Sequence, residues 1–215
     1  MQKILHTIIL VIISCLVFSS VCLAEYTFGP GEYLIYSTIL DEWYAYKQVN
    51  RIIIRGETAL AVEKKNLEEE LSYLKNSLVG LEDTTVSDFK AKNLGSYPIE
   101  EFIFQRAVYK IISPAEINSF FSYKDGWEKF YSHYPDADGL MTFSRVGFNE
   151  DLSQALVYIG AQWSDLSGTG IYVLLEKEVD GAWAIALSLR AWHHWLPDES
   201  DLKTAPYTTL NKLVP

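Results

Sequence analysis

Three histidines, His133, His193 and His194, lie beyond residue 24 and are the first candidates for proton transfer or metal binding. His193 and His194 are adjacent. On a strand, neighbours point to opposite faces, so the pair is badly placed to hold one ion. Asp136-Ala-Asp138-Gly139 has the start of a calcium loop but lacks the later acidic positions such loops use. It reads as a turn before a strand. Ser144 has no G-x-S-x-G elbow around it, which argues against a serine nucleophile. Gly168 and Gly170 in SGTG precede a strand and no Lys-Ser/Thr, so they are not a phosphate loop; a bulge or a tight strand entry fits better.

Arg145 has two readings. A buried arginine needs a carboxylate partner, and a pocket arginine would receive an anion; the paired reading is preferred. Trp163, Trp192 and Trp195 fall near strand ends, where a pocket mouth would lie. The aromatic content is high, with 6 Trp, 14 Tyr and 10 Phe, and aromatic rings more often fill cores than stack on sugars. Arg145, Trp163 and His193 are thus the ligand-binding candidates. No catalytic set is assembled, and neither a metal site nor a cofactor is expected.

Four β-rich runs must position these residues: LMTFSRVGF, QALVYIGAQW, GIYVLLEKE and WAIALSLRAWHHW. The links NEDLS, SDLSGT and VDGA are short, and Asp180-Gly181 is a hairpin signal. Together they predict an antiparallel meander, with NEDLSQ as a hairpin loop. In the last run Trp183, Ile185, Leu187, Leu189 and Ala191 alternate onto one face, expected to be the core side. Ala184, Ala186, Ser188 and Arg190 take the other.

Upstream, Gly-Pro-Gly at 29–31 breaks an extended lead-in. A helix is expected from about 32 to 46, with Leu34, Ile35, Ile39, Leu40, Trp43 and Tyr46 inward. RIIIRGETA reads as a strand. Leu60, Leu67, Leu74 and Leu81 are seven apart, with Leu71 and Leu78 between them. This predicts an amphipathic helix over 59–81 that packs on its own core, stopped near Gly80. DTTVSDFKAKN is a second helix, capped by Asp83 or a following Thr, with Val86 and Phe89 inward. LGSYP is a loop, and 99–112 is a strand-like segment carrying Phe102, Phe104, Val108, Ile111 and Ile112. Ser113-Pro114 with Glu116 is a capping-box helix start. A further helix, WEKFYSHYP, ends at Pro135.

The chain opens with Lys3, an apolar stretch from Ile4 to Leu23, and Ala24, the layout of a secretory signal peptide. Cleavage before Glu25 is expected. An uncleaved anchor, or lipidation at Cys15, is the alternative. Cleavage would remove Cys15 and Cys22, leaving no disulfide, cysteine-ligated zinc or thiol nucleophile. Residues 25–196 are then one α+β domain, with 197–215 an irregular tail. About 190 residues can bury a single core. The chain carries 18 Lys+Arg against 28 Asp+Glu. That disfavours nucleic acid and anionic lipid as partners; membrane association would need a retained or lipidated N-terminus.

The runs SRVGFN, ALVYIG, GTGIYVLLEK and GAW, with DFKAKNLGSYPIE and DGWEKFYSHYP upstream, resemble a group of predicted secreted bacterial proteins of unknown function. The resemblance covers most of 34–195 and implies no activity, so it transfers no catalytic residue. The extended end AWHHWLPDESDL departs from that group, which leaves His193 and His194 without support from it. Helices followed by a meander with a late G-x-W strand also resemble nuclear-transport-factor-like cone folds, a likeness of element order only.

The fold expected is therefore α+β: N-terminal helices packed on a C-terminal four-stranded antiparallel meander, cone-like. The expected function is that of an exported, non-enzymatic binding or accessory domain with an unknown protein or small-molecule ligand. One alternative is a hydrolase- or isomerase-type enzyme using a pocket between sheet and helices, with a carboxylate and His193 as acid and base. Another is an envelope protein held by its N-terminus.

Overall fold

A continuous apolar run and an alternating one demand different surroundings, and both occur in one sheet of this protein. The computed structural model describes residues 28–47, 51–60, 66–100, 108–122 and 124–195. The expected signal segment, the tail 197–215, both cysteines, Phe102 and Phe104 lie outside them, as do the side chains of Trp43, Tyr46, His193, His194 and Trp195. Five helices are described: α1 (Pro30–Lys47), α2 (Leu67–Ser77), α3 (Asp83–Lys92), α4 (Pro114–Phe121) and α5 (Gly126–His133). The strands are β1 (Arg51–Arg55), β2 (Tyr109–Ile112), β3 (Ala137–Phe143), β4 (Gly147–Phe148), β5 (Gln154–Ser164), β6 (Ser167–Lys177) and β7 (Trp183–Trp195). Among these residues no helix is long and apolar enough to cross a membrane.

The expected meander is present: β3, β5, β6 and β7 pair antiparallel in turn, and β4 pairs with β5. The sheet is nevertheless mixed and larger than four strands. Its order is β2-β1-β3-β5-β6-β7, and β1 runs parallel to both β2 and β3. Ile52, Ile53 and Ile54 explain this. A parallel strand inside a sheet is covered on both faces and needs apolar residues without alternation, and all three are buried.

Both faces of the sheet are covered. On one, Ile35, Tyr36, Ile39 and Leu40 of α1 meet Met141, Phe143, Val157 and Val173. Leu34 is an exception to the expected inward face, being 52% exposed. On the other, Leu67, Leu71, Leu74 and Leu78 pack with Phe89 onto Leu156, Tyr158, Tyr172 and Leu174. Leu60 and Leu81 pack against the same cluster from outside α2, so the heptad is only in part this one helix. The helix begins at Leu67 and not at 59. Helices α4 and α5 cover the remainder through Ile117, Phe120 and Phe130 against Ile53 and Leu140.

Strand β7 departs from the expected single core face. Leu174 is opposite Leu187, but Leu175 is opposite Ile185, so Ala186 is an extra residue. Such a bulge swaps the faces of a strand. Trp183 and Ile185 join the α1 side, whereas Leu187, Leu189 and Ala191 join the α2 side. Simple alternation does not count the extra residue.

Two helix starts test the capping expectations. Ser113 Oγ accepts from the Glu116 N–H at 3.1 Å, as its sequence implies. Helix α3 is different. Its cap position is Glu82, with no side-chain cap of its own. The distant Gln154 Oε1 accepts from Glu82 N–H at 2.8 Å and from Thr85 Oγ1 at 2.9 Å.

Candidate functional site

The segment Ser144–Gln154 ties helices α1 and α3 to the sheet. Ser144 Oγ donates to the Arg145 carbonyl and accepts from the Tyr158 N–H, both at 2.8 Å. Asn93, at the end of α3, grips the Arg145 backbone: Oδ1 accepts from its N–H at 2.8 Å and Nδ2 donates to its carbonyl at 3.0 Å. Gly147 passes so close to α3 that an added Cβ would lie 2.4 Å from the Phe89 Cβ. Only glycine permits that approach. Phe148 N–H then donates to Asp88 at 2.7 Å. Asn149 Oδ1 accepts from the Ser153 and Gln154 N–H groups. NEDLSQ is a hairpin loop, as expected.

Arg145 is buried and its guanidinium makes a forked pair with Glu32. Nε donates to Oε2 at 2.9 Å and Nη2 to Oε1 at 2.6 Å. The Val146 N–H also donates to Oε2, at 3.0 Å. The Phe28 ring lies 4.4 Å from the guanidinium carbon. Burial opposes the Arg145 charge, but hydrogen bonds and attraction to Glu32 outweigh it and raise its pKa. Burial likewise pushes the Tyr36 phenol well above its usual range, and its hydroxyl donates to the Ser144 carbonyl at 2.6 Å. The paired reading of Arg145 therefore holds.

The other candidates lie elsewhere. Ser144 pairs with Tyr158, so Arg145 sits near the start of β5, and Trp163 is about 20 Å farther along at roughly 3.4 Å per residue. The Trp163 carbonyl accepts from Tyr131 Oη at 2.9 Å. His193 on β7 is opposite Thr169, which is opposite Ala161 on β5, at the same end as Trp163. The three candidates do not form one site.

The remaining motifs have structural roles. Asp136 pairs with Arg51 at 3.2 Å, and β3 begins at Ala137, as the turn reading implies. Gly168 and Gly170 make room for Trp192: a Cβ on Gly170 would lie 2.1 Å from its Nε1. That nitrogen donates to Tyr158 Oη at 2.8 Å.

A cleft of about 920 Å³ opens beside Arg145. The N-terminal turns of α1, the last turn of α3, Phe148 and the β6–β7 hairpin enclose it. Lys92 lies 5.0 Å from the Phe148 ring centre and Lys177 5.0 Å from that of Trp183. The two rings are 5.9 Å apart. Lys92 also donates to Asp88 at 2.7 Å. Leu34, Leu94 and Leu152 border the cleft, each at least half exposed.

Sequence reasoning missed most of these residues. The Lys177–Trp183 pair is legible by counting outward from Asp180-Gly181, and Asp88–Lys92 by helical spacing. Nothing local marks Glu32, which is 113 residues from Arg145. No protein-family model matches the chain, and no curated protein matches it.

Proposed function

We propose that this is an exported, non-catalytic binding domain whose ligand occupies the cleft between α1, α3 and the β6–β7 hairpin. One contrast carries this reading. The ionisable groups at the base of the cleft are engaged in structure, Glu32 with Arg145 and Asp88 with Lys92 and the Phe148 N–H. The apolar groups at its rim, Leu34, Leu94 and Leu152, stand exposed. Acid–base chemistry needs ionisable groups available to a substrate, whereas a mostly apolar cleft with a few polar groups is what a ligand site offers.

The export part of the proposal rests on the Lys3–Ala24 pattern. The cone-like description rests on helices preceding a meander; the sheet being covered on both faces is what that likeness must accommodate. Native mass spectrometry of the protein isolated from its own cells tests all parts together. The expected result is a chain beginning at Glu25 with a non-covalent adduct that is lost on denaturation. A chain that retains residues 1–24 would overturn export by cleavage. An adduct-free protein that turns over small esters or sugars would overturn the binding reading.

A further inference from the structure

Three features of the cleft specify its ligand more closely. First, its charge opposes that of the chain. Among the described lining residues Lys92, Arg145 and Lys177 face Glu32 and Asp88, three cations against two carboxylates, in a protein of net charge −10. Second, Lys177 stands over Trp183 and Lys92 over Phe148, so the cations flank an aromatic floor. Third, Leu152 has φ +57°, the only positive φ outside glycine among the described residues. That region suits glycine or asparagine, and a leucine there is strained. Its side chain is 55% exposed and faces the cleft. Neither backbone preference nor core packing accounts for a leucine at this position, whereas contact with an apolar ligand does.

Resting on the binding reading above, we infer that the ligand is a small amphiphilic acid: a carboxylate held at Lys177 and an apolar chain against Leu152, Leu34 and Leu94. The aromatic floor accepts the first methylenes, and the leucine rim removes the remainder from water. A cationic amphiphile of equal length would gain the same burial and meet the wrong charge.

Calorimetric titration with decanoate and with decyltrimethylammonium, both below their micelle concentrations, tests this on the full chain. The expected result is one decanoate per chain and affinity for the cation about tenfold weaker. Lys177→Glu should abolish that preference. Leu152→Gly should weaken decanoate binding by about tenfold while leaving thermal unfolding unchanged or raised, which separates lost contact from lost fold. Equal binding of both amphiphiles, weakened by Leu152→Gly, would overturn the acid assignment and leave the cleft as a binding site. Decanoate binding unaffected by either variant would overturn the location. No binding of either probe, in a protein that carries a native adduct, would overturn the ligand class alone. No binding and no adduct would overturn both readings.

Discussion

Glu32 and Arg145 form a two-point ion pair across 113 residues, with Glu32 in the first turn of α1 and Arg145 between β3 and β4. Both side chains are nearly excluded from solvent, at 2% and 3% exposure. Such a pair contributes little net stability relative to an apolar replacement, yet removing one member strands a buried charge.

Arg145→Met is therefore predicted to destabilise the protein by about 3–5 kcal/mol. Glu32→Gln should cost less than Arg145→Met, because a carboxamide still accepts from the Val146 N–H. The double variant should be more stable than the sum of the two implies. Urea unfolding of the four proteins gives the coupling. Additive effects would show that the pair does not act as a unit.

Gly147→Ala should be far more damaging than Gly181→Ala. The new methyl at 147 would fall within 2.5 Å of Phe89 Cα and N, backbone atoms that cannot rotate away. A loss of about 3 kcal/mol or more is expected, the upper range for overpacking. At Gly181 there is open space and φ is +85°, so only conformational strain of about 1 kcal/mol applies. Thermal melts of both variants rank them directly.

Gln154→Leu removes a buried carboxamide that accepts from Glu82 N–H and Thr85 Oγ1 and donates to the Gly80 carbonyl at 3.0 Å. Stranding those groups should cost about 1–3 kcal/mol. The loss should appear first at α3. Hydrogen exchange is the fitting measurement: faster exchange at residues 82–88, with β5 and β6 still protected, is the expected outcome.

Glu70→Gln should alter the pH dependence of stability. Burial raises the Glu70 carboxyl pKa from its ordinary value, and the nearby Tyr172 hydroxyl opposes the shift without cancelling it. A raised folded-state value means that the folded protein holds the proton more tightly than the unfolded chain. The resulting stability is complete below the unfolded value and is lost as pH rises through the folded one. The wild type should thus lose melting temperature from about pH 4.5 upward, from this group, and Glu70→Gln should lose less. Tyr172 and Tyr158 are the ionisable neighbours on the sheet, and burial raises both phenols, so neither titrates in that window. Parallel melting curves from pH 4 to 8 would overturn the assignment.

The local elements were legible from short stretches of chain. Helical spacing placed the buried leucines of α2, Ser113-Pro114 began α4, and Asp180-Gly181 closed the β6–β7 hairpin, because these signals act over a few residues. The paired role of Arg145 was also legible, since a buried guanidinium requires an anion. The folded chain supplied the remainder. It chose Glu32 as that anion, added β1 and β2 in parallel beside β3, and capped α3 with Gln154. It also swapped the faces of β7 at Ala186 and gathered Leu34, Leu94 and Leu152 around one cleft. Each of these joins residues far apart in the chain or depends on one extra residue in a register. Periodicity carries no information about either, because pairing across a sheet is settled by which apolar faces can be covered together.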